Sequence, residues 1–315
     1  MRTNKLVGYS VVVPVYNSQD TLEELVERLK KVFFELHADQ YEIILVDDSS
    51  TDASWTVMTK IHSNNSSVKI INLSRNFGQQ SATLCGMSFA SGEIIITLDD
   101  DLQHRPEEIP KMVDALNSGF DVVMACYDSK QHGILRNLIT SINTLVLFYI
   151  FNAPKDLAIT SFRIFRKKTA ENILSMKSSY PHIPAFIFKT TPMKKIGNVT
   201  IHHDKRKVGK SGYNLIKLFK MWSNLIINYS AIPLIVCGIF GIIISFFSFC
   251  YAIWILLHKI IYPEYGVMGW NSLMVTITFL GGSILIALSV IGEYLRRILA
   301  EVSYGKPFIV EKIEF

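Results

Sequence analysis

Two stretches toward the C-terminal end of the chain contain almost no charge, and they constrain its fold more than any other feature. Residues 231–257 carry no formal charge, and residues 273–295 carry only Glu293. Each stretch exceeds the roughly 20 apolar residues with which an α-helix crosses a bilayer. We therefore expect two transmembrane helices within residues 229–297; the alternative is a pair of helices buried in a soluble core.

Basic residues beside these two stretches indicate how they cross. Lys217 and Lys220 precede the first stretch, and Arg296 and Arg297 follow the second. Because basic residues are retained on the cytoplasmic side of a membrane, both ends of the chain are expected in the cytoplasm, with the short connecting segment outside. Residues 1–8 contain no apolar stretch, so no signal peptide is expected.

The first 125 residues alternate between short apolar runs, typical of strands, and amphipathic patterns, typical of helices. The predicted strands are 10–14, 41–46, 68–73, 93–98 and 121–125, and the predicted helices are 21–36, 53–62, 80–90 and 106–117. Short apolar strands separated by helices predict an α/β domain whose parallel sheet is covered on both faces. Ligands of such sheets bind beyond the carboxyl ends of the strands.

Two further segments, 134–152 and 213–228, are predicted to be amphipathic helices lying on the membrane surface. The first is borderline in length for a transmembrane helix, which is the alternative for it. The chain has a net charge of +5, and much of its excess of basic residues lies at 189–220. Binding to a lipid bilayer accounts for this excess better than binding to nucleic acid. The four cysteines lack paired or metal-binding spacing and are expected to be structural.

Polar loops follow three of the predicted strands. The first loop contains Pro14, Tyr16 and Asn17, the second spans residues 47–52, and the third spans residues 99–104. A single acidic loop is usually a solvated turn or a helix cap. Three such loops at the carboxyl ends of strands instead predict one shared ligand site.

Asp99, Asp100 and Asp101 form the most acidic of these loops. Three consecutive carboxylates repel one another unless a cation is bound among them. Residues two apart in an extended segment point the same way, so Asp99 and Asp101 are predicted to share one ion. Oxygen ligands of this kind suit Mg²⁺ or Mn²⁺, which bind substrate phosphates as well.

Six segments carry a resemblance to a known family. They read VVPVYN at 12–17, VDDSSTD at 46–52, SRNFG at 74–78, LDDDLQH at 98–104, SFRIFR at 161–166 and RKVGKSGY at 206–213. In this order they resemble family 2 glycosyltransferases of the GT-A fold, of the type of dolichol-phosphate mannosyltransferase and the bacterial polyprenyl-phosphate glycosyltransferases. The resemblance covers nearly the whole chain, since the two C-terminal apolar stretches fit the bacterial members.

The resemblance implies a cytoplasmic GT-A domain at 1–228 with a Rossmann-like, mainly parallel sheet, two transmembrane helices at 229–297 and a cytoplasmic tail at 298–315. It implies that a sugar passes from a nucleotide-sugar, preferably a UDP-sugar, to polyprenyl (undecaprenyl) phosphate with inversion. The products would be a polyprenyl-phosphate sugar and a nucleoside diphosphate. It also implies a multi-pass, metal-dependent enzyme of the bacterial inner membrane, a homo-oligomer, and a role in building cell-envelope material such as lipopolysaccharide.

The resemblance also assigns roles to individual residues. Catalysis is expected from Asp99 and Asp101. Asp156, five residues before Ser161, is our own candidate for a base and is not implied by the resemblance. The implied metal ligands are Asp99, Asp101 and Gln103; the implied nucleotide-sugar contacts are Pro14, Tyr16, Asn17, Asp48 and Asp100. The implied contacts of the acceptor phosphate are Arg206, Lys210, Ser211, Tyr213, Arg136 and Arg163. Arginine and lysine side chains are suited to binding phosphate. The alternative is that the basic segment around Arg206 and Lys210 only contacts anionic lipid.

The chain departs from the family pattern at Ser161, where many relatives have the aspartate of a Gly-Asp-Phe-Arg motif, often assigned as the catalytic base. A phosphate monoester has a second pKa of about 6, so it is largely deprotonated near neutral pH and can attack without a base. Positioning and stabilisation of the leaving group would then supply most of the catalysis. Arg105 and Gly212 also depart from the pattern, at positions where relatives often have proline and lysine.

Two other functions compete with this interpretation. A processive polysaccharide synthase of the same fold would carry a Gln-x-x-Arg-Trp motif, and the sequence contains none. A non-catalytic membrane scaffold with a degenerate transferase domain would account for Ser161. The intact pair of Asp99 and Asp101 argues against the scaffold.

Overall fold

The computed structural model describes residues 8–38, 40–127, 154, 157–176, 178, 181–202, 227, 230, 232–261, 269–303 and 307–315. The chain forms two compact units, one of Met1–Gly212 together with Tyr304–Phe315, and one of Tyr213–Ser303. The surface helices predicted at 134–152 and 213–228 lie outside the described residues, apart from residue 227.

The first unit is built on one mixed sheet. Its strands are β1 (Tyr9–Val15), β2 (Tyr41–Asp47), β3 (Val68–Leu73), β4 (Ile94–Thr97), β5 (Val122–Tyr127), β6 (Arg163–Arg166), β7 (Ile196–Ile201) and β8 (Val310–Glu314), in the spatial order β7-β5-β6-β4-β1-β2-β3-β8. The pairings β1–β2, β1–β4, β2–β3 and β5–β7 are parallel, whereas β6 and β8 run antiparallel to their neighbours. The predicted α/β fold with a mainly parallel sheet is confirmed.

The described residues of this unit also form the helices α1 (Leu22–Glu35), α2 (Ser54–Ser63), α3 (Gln79–Phe89), α4 (Ile109–Asn117), α5 (Lys167–Ser175) and α6 (Ile183–Thr190). The apolar side of α1 is buried against the core at helical spacing, through residues such as Leu25, Leu29 and Phe33. Central strands β1 and β2 are buried along almost their whole length. Such continuous burial is what a parallel sheet with two covered faces requires.

Helix α3 lies unusually close to the centre of the sheet. A Cβ atom added at Gly86 would stand 2.4 Å from Val12 Cγ1 and 3.0 Å from Val46 Cγ2. Only a glycine allows this approach of helix to strand. The close packing fixes the beginning of α3, at Gln79, beside the carboxyl ends of β1 and β2.

The C-terminal strand β8 completes the first unit. It pairs with the edge of β3, with Ile71 opposite Ile313, and Ser74 N donates to Ile309 O at 3.0 Å. The ring of Phe315 lies 5.7 Å from that of Phe89, with Lys69 Nζ 4.8 Å from its centroid. The residues after the apolar stretches, expected only as a tail, therefore contribute a strand to the main sheet.

The second unit contains the long helices α7 (Ile232–Ile261) and α8 (Trp270–Ser303). Both apolar stretches that the sequence identified are helical. Within α8, Phe279–Leu299 is long and apolar enough to cross a membrane, and Ile232–Ile244 in α7 is a shorter apolar segment. Near the end of α8, Glu293 accepts hydrogen bonds from Arg296 and Arg297 at 2.7–2.8 Å.

Candidate active site

Three loops at the carboxyl edge of the sheet each contain one non-glycine residue with a left-handed backbone. These residues are Asn17 after β1 (φ 54°), Ser49 after β2 (φ 58°) and Leu102 after β4 (φ 59°). Left-handed backbone is costly for residues other than glycine, and it persists where surrounding contacts enforce it, often at functional sites. The three polar loops predicted from the sequence are therefore brought together as specifically shaped turns.

Hydrogen bonds join the first loop to the second. Asn17 Oδ1 accepts from Thr51 N at 2.8 Å, and Asn17 N donates to Ser50 Oγ at 3.0 Å. Ser50 is in turn held by Asp47, which accepts hydrogen bonds from its amide and its hydroxyl. Burial raises the pKa of Asp47, and the hydrogen bonds from Ser50 oppose this shift. In this structure Asn17, implied to bind the nucleotide-sugar, links two loops.

The first loop is joined to the third by Asp100. Tyr16 N donates to Asp100 Oδ2 at 3.1 Å, and Ser18 hydrogen-bonds the same carboxylate. Burial, aided by the neighbouring charges of Asp99 and Asp101 and opposed by these hydrogen bonds, raises the pKa of Asp100 to about 6. The Tyr16 side chain is 48% exposed and is available to a ligand, whereas Pro14 is buried within β1.

Asp48 organises the turn that precedes α3. Its side chain is only 3% exposed, and its two oxygens accept hydrogen bonds from Phe77 N at 2.7 Å and Gly78 N at 2.8 Å. Gly78 has φ +90°, a conformation that other residues rarely adopt. Burial raises the pKa of Asp48, although the two amides partly offset it. The implied contact between Asp48 and the nucleotide stays a prediction.

Asp99 lies at the centre of the candidate site. Gln79 Nε2 donates to Asp99 Oδ1 at 2.5 Å, and Ser161 Oγ donates to Asp99 Oδ2 at 2.5 Å. Asp101 Oδ1 accepts from Gln103 N at 3.1 Å. The resemblance implied Asp99, Asp101 and Gln103 as the metal ligands, and all three lie in the loop that follows β4; their role as ligands stays a prediction.

The donor set fits a cation that is shared with substrate. Among the described residues, no group of three His, Cys, Asp or Glu side chains is placed to hold a metal ion. Asp99, Asp101 and Gln103 offer oxygen atoms only, which are the ligands of hard divalent cations. Mg²⁺ is typically held by one or two carboxylates, with waters and substrate phosphates completing its coordination. An incomplete all-oxygen set beside a strand end therefore fits a cation bound together with a diphosphate.

A layer of aromatic and basic side chains lies beside Asp99. Asp99 N donates to His104 Nδ1 at 3.1 Å, and the His104 ring stacks on Phe162 and Tyr127 with centroids 5.4 and 5.9 Å away. Burial lowers the pKa of His104, with Asp99 and Asp101 opposing the shift. Because a backbone amide can only donate, His104 Nδ1 is the acceptor in this neutral ring.

Arg163 is buried next to this layer. Its side chain is 4% exposed, and its Nε donates to Thr160 O. Burial lowers the pKa of Arg163 to about 10, whereas the charge of Asp99 raises it. The charges of the buried guanidinium and of Asp99 thus attract each other, and the implied contact of Arg163 with an acceptor phosphate stays a prediction. The other implied acceptor contacts (Arg136, Arg206, Lys210, Ser211 and Tyr213) and the candidate base Asp156 lie outside the described residues.

Gln79 and Ser18 belong to the site but were not identified from the sequence. Gln79 directly follows the SRNFG segment, which is the only sequence signal that could have drawn attention to it. Ser18 follows Tyr16 and Asn17 in the first loop. Both hydrogen-bond carboxylates of the third loop, which only the folded arrangement brings near them.

The fold and the site together are those of a glycosyltransferase that uses a nucleotide-sugar. The chain belongs to glycosyl transferase family 2, whose sequence profile matches residues 10–197. It is 31% identical over 314 residues to the undecaprenyl-phosphate 4-deoxy-4-formamido-L-arabinose transferase of Yersinia enterocolitica, covering 99% of this chain and 95% of that one. It is also 31% identical to the transferase of the same name from Klebsiella pneumoniae (strain 342), covering 96% and 93%.

Solved structures agree with this fold. Glucosyl-3-phosphoglycerate synthase from Mycobacterium tuberculosis, in complex with Mn²⁺, UDP and phosphoglyceric acid, superposes with a TM-score of 0.54 and 16% identity. The match covers 70% of this chain and 76% of that one. The same enzyme in complex with UDP alone gives a TM-score of 0.54 at 17% identity, with 70% and 78% covered. At such identities the likeness establishes the fold.

Proposed function

We propose that this enzyme transfers a sugar from a nucleotide-sugar to undecaprenyl phosphate. The reaction gives an undecaprenyl-phosphate sugar and a nucleoside diphosphate, with inversion at the anomeric carbon. The observation that carries the proposal is the extent of the match to the Yersinia transferase, which spans 99% of this chain and so includes the long C-terminal helices. A relative that shared only the catalytic fold would not share them.

The donor is proposed to bind across the three loops at the carboxyl edge of the sheet. Tyr16, half exposed just after β1 and hydrogen-bonded through its amide to Asp100, is suited to stack on the base. Asp99, Asp101 and Gln103 would hold a divalent cation on the diphosphate. The Mycobacterium neighbour contains Mn²⁺ and UDP, which supports a UDP-sugar as the donor and Mn²⁺ or Mg²⁺ as the cation.

The chemistry follows from the acceptor. An oxygen of the acceptor phosphate attacks the anomeric carbon, the bond from that carbon to the diphosphate breaks, and the nucleoside diphosphate leaves. Near neutral pH the acceptor is already an oxyanion, because the second pKa of a phosphate monoester is about 6. A bound cation would neutralise the charge that develops on the departing diphosphate. The main contribution of the protein is therefore to align the two substrates. Ser161 stands where relatives have a catalytic base, and this reaction does not require one.

The basic segment at 206–213 is proposed to bind the acceptor phosphate. Arg206 and Lys210 follow β7 in the sequence, and β7 is paired with β5 in the catalytic sheet. Arginine can bind two phosphate oxygens at once, and lysine adds a compact charge. Undecaprenyl phosphate is confined to the bilayer, so its phosphate has to be recognised at the membrane surface.

We propose that both long helices cross the bacterial inner membrane, with the first unit in the cytoplasm. Strand β8 follows α8 and belongs to the same sheet as β1, which supports a chain that returns to the side of the membrane that it left. A chain that returns to the same side has crossed an even number of times. If Phe279–Leu299 crosses, a second crossing has to accompany it, and the apolar helix α7 is its candidate.

Cysteine labelling tests this topology. In a variant without the four native cysteines, Glu264→Cys lies between the two helices and Lys312→Cys lies in β8. We expect a membrane-impermeant maleimide added to intact cells to label Glu264→Cys only, and permeabilised cells to label both. Equal protection of both cysteines in intact cells would contradict two crossings.

A transfer assay tests the activity itself. Purified full-length protein in detergent is incubated with labelled UDP-, GDP- or dTDP-sugars and either undecaprenyl phosphate or undecaprenol, with Mg²⁺ or Mn²⁺ present. We expect label from one donor to enter the organic phase only with the phosphorylated acceptor. Transfer to undecaprenol, growth of a long polysaccharide, or folded protein that neither transfers nor hydrolyses any donor would each contradict the proposal.

A further inference from the structure

Residue 161 faces Asp99 because of the register between two antiparallel strands. Strand β6 pairs with β4 so that Arg163 lies opposite Thr97 and Arg166 opposite Ile94. Extending this register by two residues along each strand, which keeps to the same face of the sheet, brings residue 161 opposite residue 99. The observed bond from Ser161 Oγ to Asp99 Oδ2 at 2.5 Å agrees with this placement. Whatever side chain occupies position 161 therefore meets the Asp99 carboxylate directly.

The backbone around Ser161 is held on several sides. Thr97 Oγ1 donates to Ser161 O at 2.8 Å, and Thr160 Oγ1 donates to Ala125 O at 3.0 Å. Ala125 N donates to Phe162 O at 3.0 Å on the other side of Ser161. The hydroxyl thus approaches Asp99 from a fixed backbone, and little conformational entropy is lost when it donates its hydrogen bond.

The other oxygen of Asp99 is held from the opposite side of the site. Gln79 Nε2 donates to Asp99 Oδ1 at 2.5 Å, and Gln79 is the first residue of α3. The turn before it is fixed by the hydrogen bonds from Phe77 N and Gly78 N to Asp48. One hydrogen-bonded path therefore leads from Asp48, at the end of β2, through the start of α3 to Asp99 and on to Ser161.

We propose that Ser161 and Gln79 are positioning residues that orient Asp99 toward the cation on the donor diphosphate. The inference rests on the proposed function and adds to it the reason why position 161 carries a hydroxyl. A carboxylate oxygen that accepts one hydrogen bond retains a lone pair for a metal ion, so the two donors align Asp99 without occupying it fully. An ionised aspartate at 161 cannot donate and would repel Asp99 at this distance. At the position where many relatives have a catalytic base, this chain thus has a hydroxyl that orients the Asp99 carboxylate.

Binding of nucleoside diphosphate with Mn²⁺ tests the proposal without relying on turnover. Calorimetry on the purified full-length protein first finds which of UDP, GDP and dTDP binds most tightly in the presence of Mn²⁺. The same titration is repeated on Ser161→Ala, Gln79→Met and the conservative Ser161→Thr. Ser118→Ala is the matched control, because Ser118 is an exposed residue after α4. Thermal unfolding of each variant without ligand reports on the fold.

We expect Ser161→Ala and Gln79→Met each to raise the Kd of the Mn²⁺-dependent nucleotide about tenfold, the value of one hydrogen bond to a charged group. Their KM for the donor should rise with it, whereas their KM for undecaprenyl phosphate stays within about twofold. Ser161→Thr should restore most of the affinity, and Ser118→Ala should bind like the wild type.

Three results would overturn the proposal, and one of them also overturns the proposed function. If Ser161→Ala and Gln79→Met have the same unfolding temperature and the same Kd for the nucleotide as the wild type, the alignment of Asp99 does not depend on these side chains. Only this inference then fails. If the folded wild type binds none of the three nucleotides with Mn²⁺ or Mg²⁺, the proposed function fails together with it. A rise in the acceptor KM alone, with donor binding unchanged, also contradicts the inference.

Discussion

The Ser161 hydroxyl donates a hydrogen bond of 2.5 Å to the Asp99 carboxylate, although 62 positions separate the two residues in the chain. Strand β6 brings them together by running antiparallel to β4. The contact gives a physical meaning to the sequence's clearest departure from its family. At this position the chain has a hydroxyl that donates to the Asp99 side chain, and a transferase acting on a phosphate acceptor does not require a base there.

The first prediction concerns the pH dependence of transfer. Without a carboxylate base, kcat/KM for the acceptor should rise as the acceptor phosphate loses its second proton, near pH 6, and should stay level up to about pH 8. Ser161→Asp should lower kcat/KM across this range, because a second carboxylate repels Asp99. Initial rates measured from pH 5 to pH 8.5 check both statements. A gain in kcat for Ser161→Asp would instead identify position 161 as the site of a useful base.

The second prediction concerns Asp100 and stability. Burial raises the pKa of Asp100 from its ordinary 3.8 to about 6 in the folded protein. The folded state therefore holds this proton more tightly than the unfolded state, so the stability that Asp100 contributes is present below about pH 4 and lost as pH rises to 6. Asn at this position is neutral throughout and avoids the loss.

Relative to the wild type, Asp100→Asn should thus become more stable as the pH rises from 4 to 7. The gain should be about 1–3 kcal/mol in the free energy of unfolding, since one pKa unit corresponds to about 1.4 kcal/mol. Unfolding midpoints of the metal-free protein at each pH measure it. Asp114→Asn, at an exposed position of α4, is the control. The contrary result is a difference in the free energy of unfolding between Asp100→Asn and the wild type that stays constant with pH. It would show that ionisation of Asp100 does not destabilise the folded protein.

The third prediction concerns the position of α3. In Gly86→Ala, the new methyl group would meet Val12 Cγ1 at 2.4 Å and Val46 Cγ2 at 3.0 Å. The helix has to move away from the sheet, at a cost of about 1–3 kcal/mol. Because Gln79 begins this helix, donor binding should weaken as well. Gly238→Ala in α7 has open space around it and should change neither property; unfolding midpoints and nucleotide titrations of both variants provide the test.

Much of the catalytic fold could be predicted from the sequence. Strands β1 to β5 are short apolar runs, and α1 carries an apolar stripe at helical spacing, so local pattern and burial agree. The polar loops at 14–17, 47–52 and 99–104 could be identified for the same reason, because each follows such a run. Their meeting at one edge follows from a parallel arrangement of the strands.

Strands β6 and β8 could not be predicted in this way. β6 has only four residues, two of them arginine, and β8 reads VEKIE with three charged residues. Neither pattern indicates a strand until its partner is known, since β6 depends on the pairing with β4 and β5 and β8 on the edge of β3. The contact of Asp99 with Ser161 depends on the register of β6 against β4, and its contact with Gln79 depends on how α3 packs on the sheet. Neither contact was therefore visible in the sequence.

The most direct test of the account is the metal dependence of product formation in the wild type and in Asp101→Ala. Labelled sugar is transferred from the preferred donor to undecaprenyl phosphate with Mn²⁺ or with EDTA, and Asp114→Ala serves as the control for removing an acidic residue. We predict a lipid-linked sugar phosphodiester, identified by mass, from the wild type and Asp114→Ala with Mn²⁺. EDTA or Asp101→Ala should lower its formation at least a hundredfold, as expected for losing electrostatic stabilisation of the leaving group. Undiminished product from folded Asp101→Ala, or from the wild type in EDTA, would contradict a metal-assisted transfer centred on Asp99 and Asp101.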